Sequence, residues 1–159
     1  MDRKISGLYK KVILTLVMIV LEVIFQIMFL IGFPISYLTY LAFIGLAPLF
    51  LMAIYAYGIG RVSSRGFFES VISSFIGGLL NIAVSLIGTY AFITERVINE
   101  IVESFSSITS KNISASVEVK GGGNIVFNIV IAFIICVIFS KIGNRYCEKH
   151  NKIQTNSVI

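Results

Sequence analysis

The stretch from Gly121 to Ser140 constrains the fold more than any other part of this chain. Its twenty residues include no charged side chain, and Lys120 and Lys141 bound it on either side. At a rise of 1.5 Å per residue such a helix is about 30 Å long, which matches the hydrocarbon core of a bilayer. Because hydrocarbon offers the backbone no hydrogen-bond partner, we expect the stretch to cross as an α-helix.

Three earlier runs are also long and apolar, although residues 12–33 contain Glu22 and residues 67–94 contain Glu69. The predicted spans cover residues 12–33, 37–60, 67–94 and 122–140. The chain is 57% hydrophobic and 13% charged, whereas soluble domains are about 45–50% apolar and about 25% charged. None of the runs alternates apolar and polar residues as the strands of a membrane barrel do. The predicted fold is therefore all-α, a single membrane domain built as a bundle of four transmembrane helices.

The distribution of lysine and arginine predicts the orientation, because these residues concentrate on the cytoplasmic side of spans. Ten lie in the N-terminus, the turn after the second span and residues 141–159, whereas three lie in residues 95–121. We therefore predict that the N-terminus and the C-terminus are cytoplasmic and that residues 95–121 are extracytoplasmic. The net charge of +5 then reflects topology in a multi-pass protein of the cell membrane. It indicates contact with the lipid bilayer and no nucleic-acid partner.

The connection between the third and fourth spans contains two patterns. Apolar residues at helical spacing lie opposite Glu95, Glu100 and Glu103, which predicts that the third helix continues as an amphipathic extension. Residues 113–120 alternate apolar and polar side chains, which predicts a short strand or extended segment. Residues 112–114 match the glycosylation sequence Asn-x-Ser. We expect a small extracytoplasmic cap between helices 3 and 4.

Glu22 is the first candidate for a functional residue. It lies near the middle of the first span, and Gln26 lies one turn away on the same face. A charged carboxylate at that depth costs about 2.5–3.5 kcal/mol, which protonation avoids and a hydrogen bond offsets. One interpretation is a proton- or cation-coupled transport site. The other, slightly favoured because no second ionisable residue accompanies Glu22, is a neutral carboxyl bonded to Gln26 or Asn81 that fixes helix register.

The third span carries the second candidate set. Ser73, Gly77, Asn81 and Ser85 are spaced four residues apart. Small residues at this spacing let two helices approach closely, and Asn and Ser can hydrogen-bond across the contact. We therefore predict a helix-packing face. The alternative is the polar wall of a substrate path, with Asn128 of the fourth helix as the partner of Asn81.

The second span contains Gly45 and Pro48. Proline removes one helical hydrogen bond and clashes with the preceding turn. These two residues therefore predict a kink in the second helix.

No motif in the sequence indicates a reaction. The chain lacks the His-Glu-x-x-His zinc motif, a glycine-rich phosphate loop and a nucleophile elbow. Cys136 and Cys147 lie in an apolar run and a basic tail, so no disulfide framework is expected. We predict no enzyme activity, no cofactor and no metal site.

Three function classes remain, of which a membrane-embedded enzyme is the least favoured because no paired acid and base appears in the spans. The favoured class is a non-catalytic accessory subunit, assembly or scaffold protein that binds a membrane-protein partner through helix packing and the extracytoplasmic connection. The alternative is a small homo-oligomeric ion- or proton-coupled transporter or channel that uses Glu22. The first is favoured at this stage because only one charge lies deep in a span.

Overall fold

The computed structural model describes residues 2–31, 34–63, 66–92, 94–109 and 125–156. Within these residues all regular structure is helical. The five helices are α1 (Asp2–Ile31), α2 (Tyr37–Val62), α3 (Phe67–Phe92), α4 (Glu95–Thr109) and α5 (Ile125–Asn156). The predicted all-α class is confirmed for the described part of the chain.

Four of these helices are long and apolar enough to cross a membrane. The segments that meet both conditions are Gly7–Ile31, Tyr37–Val62, Phe67–Gly88 and Val126–Lys149. Large apolar side chains such as Leu16, Phe50 and Ile76 are exposed on the outside of the bundle. Contact between such a surface and lipid carries no hydrophobic cost, whereas exposure of the same surface to water is unfavourable.

The first and last helices extend beyond the predicted spans. α1 begins at Asp2 rather than at residue 12, and α5 continues to Asn156 through residues predicted to be a tail. Lysine, arginine and glutamate favour helices, so a cluster of charges marks where a helix leaves an apolar layer and not where the helix ends. The predicted start of the fourth span, residues 122–124, lies outside the described residues.

α2 and α3 form the centre of the bundle, and both α1 and α5 pack against them. Lys11 near the start of α1 forms an ion pair with Glu69 near the start of α3, so these two helices run parallel. Gly66, with a φ of 100° that few other residues adopt, lies in the short turn between α2 and α3. The order of the four long helices is therefore up-down-up-down, as in simple four-helix bundles.

Glycines bring α2 and α5 into backbone contact. A Cβ atom at Gly60 would overlap the backbone of α5, and one at Gly143 would overlap the carbonyl of Tyr57 on α2. Beside this crossing the Arg61 guanidinium lies 4.7 Å from the centroid of the Tyr146 ring, within the range of a cation–π contact. The absence of side chains at both glycines is what permits this close approach.

α2 departs from α-helical geometry where the kink was predicted. Residues Leu41–Leu46 form a π-helical turn, in which the Ala47 N–H donates to the Ala42 carbonyl. Pro48 follows directly and has no N–H for the preceding turn. The α-helical parts on either side are Tyr37–Tyr40 and Ala47–Val62.

α4 is the amphipathic helix predicted after the third span. Its apolar residues Val97 and Ile101 are buried against Phe29 at the end of α1. The Phe105 ring packs on the Tyr37 ring at the start of α2, with 4.6 Å between centroids. α4 therefore closes one end of the bundle by packing on α1 and α2.

The predicted continuity of α4 with α3 is wrong. α3 ends at Phe92, Thr94 is not helical, and α4 begins at Glu95. A break lets α4 turn its apolar face onto the bundle, which a straight extension of α3 would not do. The predicted strand at residues 113–120 and the Asn-x-Ser sequence at 112–114 lie outside the described residues.

Candidate functional site

Glu22 lies inside the bundle, with 1% of its surface exposed. The Gln26 Nε2 atom donates to its Oε1 atom over 3.2 Å, and the Ser85 side chain of α3 lies beside the carboxyl group. The Oε2 atom has no hydrogen-bond partner among the described residues. Glu22 therefore lies between α1 and α3 with one buried oxygen unsatisfied among the described residues.

Gly88 is the reason that Gln26 can occupy its position. A Cβ atom at Gly88 would overlap the Gln26 amide. The Gln26 side chain, 3% exposed, thus lies directly on the backbone of α3. Gln26 is held beside Glu22 from one side by its own helix and from the other by α3.

A cavity of about 230 Å³ lies between α2, α3 and α5. Its lining is partly apolar and partly polar, and the described residues around it include no charged side chain. The polar residues of the wall are Tyr40, Asn81, Ser85 and Asn128, and its apolar residues include Pro48 and Met52. The π-helical turn of α2 contributes Ile44 and Gly45 to the same wall.

Asn81 is the least satisfied polar residue of the cavity. It is 1% exposed, and neither its amide oxygen nor its amide nitrogen has a hydrogen-bond partner among the described residues. Leaving such a group buried without a partner costs about 1–3 kcal/mol. A buried group of this kind calls for an explanation, such as a bound ligand, an ion or a water molecule.

Ser85 connects the carboxyl group to the cavity. It lines the cavity and also lies beside the Glu22 carboxyl group. Glu22 itself is absent from the cavity wall formed by the described residues. Ser85 therefore lies between Glu22 and the cavity.

A second polar group lies near the starts of α1 and α3. The Lys11 ammonium is 2.9 Å from Glu69 Oε1 and 3.2 Å from the Ser73 hydroxyl. The Thr15 and Tyr55 hydroxyls are 2.9 Å apart, and the Tyr55 hydroxyl also donates to the Ser73 carbonyl over 3.5 Å. These contacts link α1, α2 and α3 at the end of the bundle opposite α4.

The four residues predicted as one packing face of α3 meet different neighbours. Ser73 contacts Lys11 of α1, whereas a Cβ atom at Gly77 would overlap the Tyr55 phenol of α2. Ser85 lies beside Glu22 of α1, as described above. Asn81 instead faces the cavity.

Of the two alternative partners predicted for Glu22, Gln26 and Asn81, the structure shows Gln26. Asn81 does not hydrogen-bond Glu22 or Asn128, although Asn81 and Asn128 line the same cavity. Ser85 lies one turn beyond Asn81 and is the residue of α3 beside Glu22.

Sequence reasoning missed Ser85 as a neighbour of Glu22 and missed Tyr40 as part of the cavity. It also did not pair Lys11 with Glu69. Both charges lie at the ends of their apolar spans. Their opposite signs at the starts of the first and third spans could have predicted this ion pair.

The described residues hold no group of three or more His, Cys, Asp or Glu side chains suited to a metal ion. Cys136 is buried and Cys147 is partly exposed, and neither forms a disulfide. The side chains of Glu22, Gln26, Asn81 and Ser85 offer a carboxyl group, two amides and a hydroxyl group, all of which can hydrogen-bond.

Comparison of the chain with protein-family models, curated proteins and solved structures gives no match.

Proposed function

We propose that this chain is a multi-pass protein of the cell membrane that transports a small solute or an ion, with Glu22 as the coupling group. In this proposal both termini are cytoplasmic and α4 belongs to an extracytoplasmic cap. The observation that carries the proposal is the burial of Glu22 with one unsatisfied oxygen, linked by Ser85 to a polar cavity.

The physical argument concerns the two protonation states of Glu22. A carboxylate removed from water without a compensating charge is strongly disfavoured, and a proton or a cation relieves that cost. The neutral form donates a hydrogen bond, whereas the ionised form only accepts. Gaining or losing a proton would thus change how the carboxyl group can hydrogen-bond the neighbouring Ser85 hydroxyl and would alter the cavity wall.

We further propose a homo-oligomer, because four helices rarely enclose a path by themselves. The outer face of α3 presents exposed Ile72, Ile76 and Leu80. Lipid or a second copy of the chain would cover this apolar face. Native mass spectrometry of the purified protein in a mild detergent would show which copy number persists.

Proton uptake into proteoliposomes tests the coupling role. Under an imposed pH gradient, the internal pH of vesicles that contain wild-type protein should change faster than that of protein-free vesicles. An enclosed pH-sensitive dye reports this change. Glu22→Gln keeps the shape of the side chain and removes its proton, so we expect at least a tenfold loss of this flux. Glu103→Gln changes an exposed residue of α4 and should leave the flux unchanged.

The outcome that contradicts the proposal is equally definite. A folded, inserted Glu22→Gln variant with the wild-type flux and pH dependence would remove Glu22 from any coupling step. A wild-type protein that gives no flux above that of protein-free vesicles would count against transport itself.

α4 favours a second candidate, the non-catalytic accessory, assembly or scaffold protein. Its apolar face is buried against α1 and α2, while Glu95, Arg96 and Glu103 are exposed on its other face. An amphipathic helix fixed to a bundle end in this way presents a rigid charged surface to another protein.

Charge reversal tests this accessory role. Glu100→Lys and Glu103→Lys together should release a stoichiometric partner that co-purifies from the native membrane, without unfolding the bundle. Arg96 and Glu100 form an i, i+4 ion pair of 2.9 Å, so Arg96→Glu in the reversed background restores that pair and serves as a folding control. A partner retained by the doubly reversed protein would exclude α4 as the docking surface.

A further inference from the structure

We infer that the cavity between α2, α3 and α5 binds a small neutral solute that both donates and accepts hydrogen bonds, such as a simple amide or a polyol. This inference rests on the proposed transport function for its biological role, and it names the class of substrate. Binding itself is tested without transport.

The class of ligand follows from the groups that surround the cavity. Asn81 offers an amide donor and an amide acceptor, both without a partner among the described residues. Asn128 adds a second amide, and Ser85 and Tyr40 add hydroxyl groups to the lining. No charged side chain of the described residues lies on the wall, so an ion would leave water without a counter-charge, whereas a neutral polar molecule would not.

The size of the cavity limits the ligand. At about 230 Å³ it is smaller than the common range of about 300–1,000 Å³ for sites that hold drug-sized molecules. A molecule of a few non-hydrogen atoms fits such a space. The apolar residues Met52, Leu49 and Ile82 on the wall suit a ligand with a short hydrocarbon part beside its polar group.

Polar side chains line the cavity at two depths along the helices. Tyr40 and Asn128 lie within the first four residues of the membrane segments of α2 and α5, whereas Asn81 lies deep in α3. A solute that moves inward from Tyr40 and Asn128 to Asn81 would have a hydrogen-bond partner at each position. This arrangement distinguishes a solute site from a simple packing defect, which would be lined by apolar groups.

The Asn81 side-chain amide provides a direct readout. In ¹⁵N-labelled protein in nanodiscs, its NH₂ resonance pair is the one that disappears in Asn81→Leu. The probes are acetamide, acetate and ethylammonium, which have similar size and differ in charge. We expect acetamide to shift this resonance pair saturably, with an affinity at least tenfold higher than that of either ion.

Variants test whether the cavity is the site. Asn128→Leu removes the second amide and should weaken acetamide binding at least tenfold while the Asn81 resonance remains observable. Asn99→Leu replaces an exposed asparagine of α4 and should leave the affinity unchanged. Because Asn128 is partly exposed, its replacement is not expected to prevent folding.

Several results would overturn the inference. A shift that stays linear in acetamide concentration would show that no specific site exists. Tighter binding of ethylammonium than of acetamide would show that the ligand is a cation and that Glu22 binds it. Specific acetamide binding without proton flux in vesicles would contradict the proposed transport and leave this inference standing. Glu22-dependent flux without acetamide binding would support the proposed transport and contradict this inference.

Discussion

Replacing Gly60 or Gly143 by alanine should destabilise the bundle more than the same change at other helical glycines. At both positions the added methyl group meets backbone atoms of the opposite helix and not the movable end of a side chain. The Asn144 nitrogen lies 3.1 Å from a Cβ atom at Gly60, and the Arg61 nitrogen lies 3.1 Å from one at Gly143. Relief therefore requires that α2 and α5 move apart.

The size of the effect follows from two opposing terms. Alanine favours a helix interior over glycine by about 0.8–1 kcal/mol, whereas forcing a methyl group into a packed contact costs about 1–3 kcal/mol. Gly58→Ala isolates the first term, because the Cβ atom there meets only the end of the Leu14 side chain at 3.4 Å. The difference in unfolding free energy between Gly60→Ala and Gly58→Ala should therefore be about 1–3 kcal/mol, or about tenfold in the equilibrium constant for each 1.4 kcal/mol.

Equilibrium unfolding in mixed micelles of SDS and a mild detergent measures these free energies, with helix content followed by circular dichroism. The double variant Gly60→Ala/Gly143→Ala should lose less than the sum of the two single losses, because both methyl groups enter one gap between the same helices. Equal stability of Gly60→Ala and Gly58→Ala would refute the backbone contact between α2 and α5.

Three further outcomes are expected from the other contacts. Gly88→Ala should displace the Gln26 amide and lower stability, and this loss should shrink by at least about 0.5 kcal/mol in a Gln26→Ala background, as a double-mutant unfolding cycle would show. Lys11→Met removes the ion pair with Glu69, whose partners are 14% and 30% exposed, and should cost about 1–2 kcal/mol in the same unfolding assay, part of which Glu69→Gln restores. Phe105→Ala removes the ring contact that holds α4 on α2 and should speed hydrogen exchange in α4 while leaving exchange in the long helices unchanged.

The number and the approximate positions of the long helices were predictable because a bilayer imposes a length. An uncharged run such as residues 121–140 is expected to be helical in hydrocarbon, because a helix pairs its own backbone N–H and C=O groups. The ends of the helices were less predictable, since no comparable rule stops a helix once it reaches water. Residues 141–156 continue the α5 helix for this reason.

The partners of individual side chains were not predictable from spacing. Asn81 and Ser85 are four residues apart and share one face of α3, yet Ser85 meets α1 while Asn81 faces the cavity. Periodicity identifies the face of a helix and carries no information on which of two neighbouring helices covers each point of it. That choice depends on distances between helices, which local features such as Gly88 and the π-helical turn of α2 set.

The α2–α5 and α1–α3 contacts differ in kind, and this difference bears on mechanism. α2 and α5 meet through glycines and backbone atoms, a contact whose strength does not depend on protonation. α1 meets α3 through Lys11, Glu22 and Gln26, which lie along one face of α1. Interhelical hydrogen bonds are individually modest in membranes. In the proposed transport function, a proton gained or lost at Glu22 would therefore weaken or strengthen the α1–α3 contact without separating α2 from α5.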